Sequence, residues 1–444
     1  LKLLLINPPQ NHTISGNLPT YVDEARGNIP PLGLLYTASA VLKETDWEVN
    51  ICDMSAGHWL EEFHKPDLVG ITATTFTLIN VLETAKKVKQ YWNVPIVLGG
   101  IHPTIYPDET SRLPNIDTVF TGESEVTFPK MIDYIAKGAV RVVEGETTEV
   151  EKLPLPARQL LKQKDYYSVI GDNKYLTSMF TSRGCPYQCI FCHRKTMGRI
   201  FRARTAQQVI DEMFLIRTSG IKEILIYDDT FTVNKQRVID ICREIERREI
   251  DIIFDIRARV DHIDSEIIFW LKQAGCKRIH YGVEASNDRV LQLLQKGITI
   301  EQVTTAFELT KKAGIETLAY FIIGSPTESY SEIEQTISFA KELDPDYCHF
   351  SIMTPYPATK LYTDRVESGE CKDYWREFAA NPTEDFQTPY LDGISREGIE
   401  ELLGKAYRKF YWQPKKIAKE FMRTKSIKQL AKKGSSAVKM LVRR

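Results

Sequence analysis

The 444-residue chain contains no stretch of 18 uncharged apolar residues, so a membrane-spanning helix is not expected. Cysteine is scarce. Five of the eight, Cys52, Cys242, Cys276, Cys348 and Cys371, share no repeating spacing. They read as reduced, mostly buried thiols of a cytoplasmic protein, which excludes a disulfide scaffold. The run from Leu1 to Ile6 meets Asn7-Pro8-Pro9 before a hydrophobic signal region could form, so it reads as a first β-strand and not a secretory leader. No G-x-G-x-x-G follows that run, so the dinucleotide-binding fingerprint is missing. What is present is enough apolar sequence, 43%, to fill the cores of two or three domains.

The most informative stretch is Thr181-Ser-Arg-Gly-Cys-Pro-Tyr-Gln-Cys-Ile-Phe-Cys-His193, with Cys185, Cys189 and Cys192 at C-x3-C-x2-C spacing. Three thiolates in one compact loop can hold one soft metal centre, and iron–sulfur clusters are held by such runs. A [4Fe-4S] cube ligated by three cysteines keeps one iron for a ligand that is not protein. The alternative is a zinc site with a distant fourth ligand such as His193, but zinc knuckles normally pair two C-x2-C units and no second unit exists.

Arg183-Gly184 before the first cysteine, Pro186 after it and Phe191 before the last complete a motif that resembles the signature of radical S-adenosylmethionine (SAM) enzymes. The resemblance implies a cluster whose open iron is chelated by SAM and SAM cleavage to a 5′-deoxyadenosyl radical. It also implies a reductant such as flavodoxin or ferredoxin.

Residues 1–140 alternate short Ile, Val and Leu runs (3–7, 49–53, 68–73, 96–99 and 118–120) with helical patterns at 32–42 and 78–91. This predicts a doubly wound parallel sheet whose ligand sits at the carboxyl ends of the strands. The phrases Pro30-Pro-Leu-Gly-Leu-Leu-Tyr36, Asp67-Leu-Val-Gly-Ile71 and Gly99-Gly-Ile-His-Pro-Thr104 resemble those of the cobalamin-binding domain of the cobalamin-dependent radical SAM family. The D-x-H-x-x-G motif of other B12 proteins is missing, so cobalamin is expected without a histidine ligand. Thr72, Thr74, Thr75, Gly99, Gly100, His102, Gly122 and Glu123 are the expected contacts. For His102 a solvent-facing turn or a helix-entry hydrogen bond is the competing role.

A connector at 141–174 leads to six strand–helix pairs within 175–365, the number in the partial (βα)6 barrel of the family and too few for a closed eight-fold barrel. Strands are expected at 175–180, 224–227, 252–256, 278–283, 316–323 and 347–353. By resemblance, Asp228 and Asp229 position SAM, Glu284 accepts from its ribose with Ser286 nearby, and Phe191 lies in the cofactor loop. Arg257 can fork onto a carboxylate, either that of SAM or that of Asp228. Helix capping by Asp229 and a salt bridge at Glu284 are the structural alternatives. Lys296 reads as part of a helix stop.

The expected architecture is therefore α/β: an N-terminal doubly wound cobalamin-binding-like domain, a partial radical SAM barrel and a helical C-terminal region over 366–444. Its aromatic residues, from Tyr374 to Tyr390, are expected to cover the barrel mouth. From Lys405 to Arg444, fourteen Lys or Arg face one acidic residue, Glu420. With apolar residues at a helical rhythm this suits an anionic membrane surface, or a solvated basic face. Nucleic acid is not expected, because no stacking platform accompanies the charge. The resemblance implies a C-methyltransferase acting on an unactivated carbon, with a lipid or isoprenoid-like substrate. A cyclase or carbon-skeleton enzyme of the same architecture is the alternative.

Overall fold

A computed structural model of the chain describes residues 1–10, 27–168, 170–171, 175–194, 196–391 and 393–423. Six parallel strands form the first sheet: β1 (Lys2–Asn7), β2 (Glu48–Asp53), β3 (Leu68–Thr72), β4 (Ile96–Gly99), β5 (Thr118–Thr121) and β6 (Val142–Glu144). Their order is β2-β1-β3-β4-β5-β6. Strand residues alternate between two cores. Leu3 and Leu5 pack with Leu35 and Tyr36 on one face, whereas Leu4 and Ile6 pack with Leu78 and Val81 on the other. Burial on both faces explains why these strands read as unbroken apolar runs. The order reverses beside β1, which opens a crevice at the carboxyl ends. Strand β6 falls in the stretch read as connector; its three residues, two of them exposed, give too short a pattern to register as a strand.

The second sheet follows chain order, β7 (Thr177–Met179), β8 (Glu223–Ile226), β9 (Ile253–Ala258), β10 (Cys276–Glu284), β11 (Glu316–Ile323) and β12 (Tyr347–Ile352), all parallel. Five covering helices begin at side-chain caps, Thr205, Asn234, Asp264, Thr299 and Ser329, each accepting a backbone N–H one turn on. Three of these are capping boxes, in which a Gln or Glu reaches back to the cap. Strands β7 and β12 are not paired, so the barrel stays open. The exposed edge of β12 is satisfied by the helix Arg396–Tyr411. Tyr407 Oη donates to the Phe350 carbonyl (3.0 Å) and accepts from its N–H (3.2 Å), and Tyr411 does the same at Cys348.

The aromatic segment departs from expectation. Trp375 and Phe378 are buried in the first sheet's core instead of lying across the mouth. Trp375 Nε1 donates to the Pro355 carbonyl at 2.8 Å, and Phe76 packs edge-on to Tyr356 with ring centres 5.0 Å apart. Tyr374, Trp375, Phe378 and Phe386 therefore fill the seam between the two units, while Tyr390 packs on the barrel core beside Gly324 and Met353. The described part of the basic tail is also committed to the protein. In the helix Pro414–Arg423, Lys416 pairs with Asp344 (2.6 Å) and Lys419 with Asp346 (2.5 Å). The tail beyond residue 423 lies outside the described residues.

Two backbone positions give opposite expectations. Ala358 takes φ +57°, so Ala358→Gly should raise stability by about 1 kcal/mol. Gly100 takes φ +107°, and an added Cβ would stand 2.7 Å from the Ala73 carbonyl oxygen, so Gly100→Ala should cost about 1–3 kcal/mol. Urea unfolding of the two variants checks both signs.

Candidate active site

The carboxyl ends of the two sheets face each other. After β3, Phe76 meets Tyr356 beyond β12; after β5, Glu123 and Glu125 reach Arg183 beyond β7. Arg183 is buried and lies two residues before the first motif cysteine. Its guanidinium pairs with Glu123 at 3.1 Å and Glu125 at 2.5 Å. Glu123 also pairs with Arg202 and accepts from the Thr148 N–H at 2.8 Å. Burial alone would raise the Glu123 pKa, but the Arg202 hydrogen bond and the Arg183 charge hold it below the ordinary carboxylate value. Glu123, expected to face the corrin, is thus spent on the inter-domain clamp.

Asp228 is likewise spent within the protein. Its carboxylate accepts from the N–H groups of Thr181 (2.6 Å) and Ser182 (3.0 Å) and from both hydroxyls. These four donors occupy its acceptor sites, so it clamps the start of the cysteine loop. Arg257 does not pair with Asp228 either. Asp229 is the free member of the acidic tip. It is open to solvent, yet the concave wall around it and the Asp228 charge raise its pKa, partly offset by the Gly184 N–H and Arg257. Gly184 takes φ +89°, with no room for a Cβ against the Ile200 carbonyl, so the turn into Cys185 requires glycine.

The cysteine loop is pinned from behind. The Ile190 N–H donates to the Leu294 carbonyl (3.1 Å), and the Leu361 N–H donates to the Ile190 carbonyl (2.9 Å), while Phe191 packs on the barrel core. Surrounding protein raises the Cys189 thiol pKa, and Lys296 and Arg259 pull it back. Cys192 is exposed at its surface, yet desolvation by the surrounding loop comes first and the charges of Cys189 and Cys185 next, pushing it up to about 12. Among the described residues no three His, Cys, Asp or Glu side chains are grouped to hold a metal ion. Three soft donors within each other's field, with two cations beside them, suit the chemistry of an iron–sulfur cluster.

Glu284 ends β10 at φ +69°, beyond a register shift in the β10–β11 pairing. It is buried and its Oε1 pairs with Lys296 Nζ at 2.6 Å, the salt bridge named as the structural alternative. Lys296 is thus a site residue missed as a helix stop; its signal was a lysine beside glycine twelve residues after a strand-end carboxylate. Ser286 is bonded to Thr336, its hydroxyl at 3.1 Å. In the loop after β11, the Gly324 and Ser325 N–H groups are turned onto Glu328, whose pKa burial raises to about 7, and so are not offered to a ligand.

On the first domain the expected contacts divide. Thr72, Thr74, Gly99, Gly100 and Gly122 are half-open at the strand ends, and beside Gly99 a Cβ would meet nothing within 4 Å. That open ledge fits the close approach of a flat macrocycle. Thr75 and His102 are buried, bonded to each other at 3.1 Å, and His102 Nε2 has no partner. His102 is therefore neither a solvent-facing turn nor a surface contact.

Inside the barrel, Asp255, Arg278 and Glu316 form a buried ion-paired floor, with contacts of 2.8 and 2.6 Å. Above it stand Tyr227, Arg257, His280, Tyr320 and His349, half-open to solvent between fully buried neighbours. None of the aromatic or histidine members of this layer was expected; their signal was every-second-residue polar spacing within the strands.

Residues 179–340 match the Radical SAM superfamily model and residues 19–132 the B12 binding domain model. An uncharacterized methyltransferase of Pyrococcus horikoshii is 34% identical, covering 95% of this chain and 94% of its own. The chain belongs to the cobalamin-dependent radical SAM family. An anaerobic magnesium-protoporphyrin IX monomethyl ester cyclase of Rubrivivax gelatinosus is 26% identical, covering 87% of this chain and 75% of its own. Hopanoid C-3 methylase of Methylococcus capsulatus is 26% identical over 78% of this chain and 70% of its own. The fold matches two solved structures. TsrM from Kitasatospora setae, with cobalamin and a [4Fe-4S] cluster bound, gives a TM-score of 0.64 at 21% identity, covering 83% of this chain and 78% of TsrM. OxsB, with aqua-cobalamin and S-adenosylmethionine bound, gives 0.70 at 18%, covering 99% and 72%.

Burial pushes the His102 pKa down to about 3, so the fold holds it neutral. The unfolded chain takes up its proton near pH 6.5, and stability present above that value is lost on acidification at about 1.4 kcal/mol per pH unit. Between pH 7 and 5, wild type should lose about 2 kcal/mol more than His102→Gln. Urea unfolding at the two pH values measures the difference.

Proposed function

We propose that this family member is a C-methyltransferase acting on an unactivated carbon of a lipid or isoprenoid-like substrate. The observation that carries the reading is the Glu123–Arg183–Glu125 clamp, because it fastens the cysteine loop to the strand ends of the B12-type domain. When bound, the cluster with SAM supplies one-electron radical chemistry and cobalamin carries a methyl group. Cys185, Cys189 and Cys192 would hold the cluster, with Lys296 and Arg259 offsetting thiolate charge. Thr72, Thr74, Gly99, Gly100 and Gly122 offer the ledge for cobalamin. Asp229, Phe191 and Ser286 remain the candidates to border SAM. The Phe76, Tyr356 and Trp375 rings keep water from the seam.

Similarity to hopanoid C-3 methylase supports the lipid class, and the basic sequence after residue 404 supports peripheral contact with an anionic membrane. The similarity to protoporphyrin ester cyclases supports ring formation as the second reading.

Anaerobic reconstitution should give one [4Fe-4S] centre whose EPR spectrum changes on adding SAM, and which is lost when the three cysteines are replaced. Zinc alone would end the cluster assignment. With methyl-deuterated SAM and hopanoid or isoprenoid lipids, label should appear in the product; an unlabelled, newly cyclised product would select the second reading. The full chain should co-sediment with anionic vesicles, less so in high salt, and a chain ending at Arg423 should not.

A further inference from the structure

The buried arginines of this protein carry carboxylates: Arg183 with Glu125, Arg204 with Glu212, Arg259 with Asp261 and Arg278 with Asp255. Arg257 differs. It projects from the end of β9 into the barrel, half-open to solvent, and among the described residues no carboxylate lies within 4.0 Å of it. Its guanidinium stacks on the Tyr227 ring, 3.9 Å from the centroid. One N–H makes a long contact of 3.4 Å to the Ile226 carbonyl. Stacking holds the plane and leaves the edge N–H groups, the ones that fork onto an oxyanion, directed sideways.

Hydroxyl and imidazole groups gather around that edge. Tyr320, whose phenol feels the Arg257 charge, places its hydroxyl 3.1 Å from His280 Nδ1, while His280 Nε2 lies 3.4 Å from Asp255. The Asp255–Arg278–Glu316 floor closes the lumen beneath. A guanidinium that no carboxylate among the described residues holds within 4.0 Å keeps its forked N–H groups available for an oxyanion ligand.

We propose that Arg257, with Tyr320 beside it, is the receptor for an oxyanion on the substrate, a carboxylate or a phosphate-type group at one end of an otherwise apolar molecule. The inference rests on the barrel being the substrate chamber of the proposed methyltransferase. Position argues for the substrate over SAM's own carboxylate. Lys296 pairs with Glu284 and Arg259 donates to the Lys296 carbonyl at 2.8 Å, whereas Arg257 stacks on Tyr227 beside the Tyr320–His280–Asp255 chain inside the barrel. An acid anchored at this depth would point its chain back past the cysteine loop toward the open mouth.

The test is calorimetric titration of octanoate, octylphosphonate and neutral octanol into the cluster-reconstituted, SAM-loaded enzyme. Both acids should bind at least about ten-fold tighter than octanol, the worth of one charge-assisted fork. Arg257→Gln should remove that preference, Arg257→Lys should keep part of it, and Tyr320→Phe should weaken it by a few-fold. The two milder variants keep the test decisive if Arg257→Gln folds poorly. Acids and octanol binding alike, or a preference that survives in Arg257→Gln, overturns the proposal. A fall in SAM affinity with octanoate binding unchanged overturns it too, by assigning Arg257 to SAM. Absence of label from the product would instead refute methyl transfer while leaving the acid preference intact.

Discussion

A buried guanidinium shared by two carboxylates joins the halves of this protein. Arg183 belongs to the cysteine loop, and Glu123 and Glu125 belong to the far sheet. Ion pairs in such places contribute little net stability, because desolvation offsets most of the attraction; removing one partner nevertheless costs about 3–5 kcal/mol, since the other is left charged and buried. The clamp therefore works chiefly as a register. It sets which loop of the first domain faces which loop of the barrel, and the seam of Phe76, Tyr356 and Trp375 fixes the second point of contact. With two anchors, after β7 and β12 at opposite edges of the barrel sheet and after β3 and β5 on the first sheet, neither domain can rotate without breaking a buried pair or opening an aromatic core.

The same economy recurs through the site. Asp228 spends its carboxylate on Thr181 and Ser182, Glu284 on Lys296, and Glu328 on its own loop. Acidic residues at the strand ends shape the backbone that carries the cysteines, and the groups left open are fewer: Asp229, Arg257, and the threonine and glycine ledge. Two cations, Lys296 and Arg259, stand beside the thiols, and a third, Arg257, stacks on Tyr227 inside the barrel.

Much of this was legible in the sequence. Apolar runs located eleven of the twelve main strands, and the cysteine spacing and its flanking residues pointed to the family. What could not be read was pairing at a distance. Glu123 meeting Arg183 spans sixty positions, and no local pattern distinguishes a carboxylate waiting for a ligand from one already satisfied. His102 shows the same limit: a histidine in a glycine-rich turn looks exposed, but packing against Thr75 and Tyr106 buries it fully. The aromatic segment was recognised as a cover, and the fold divides it: Trp375, Phe378 and Phe386 cover the seam, while Tyr390 packs at the strand ends of the barrel beside Gly324 and Met353.

The central claim is that the two strand-end surfaces, held by the clamp, bring the two cofactors into one chamber. Pulsed EPR of enzyme loaded with Co(II) cobalamin and the reduced cluster measures this directly through the dipolar interaction of the two spins. The clamp predicts a resolved, narrowly distributed coupling in wild type that broadens in Glu123→Gln/Glu125→Gln while both signals stay at full intensity. Two fully occupied but magnetically independent centres in wild type, or a coupling unchanged when both carboxylates are neutralised, would contradict it.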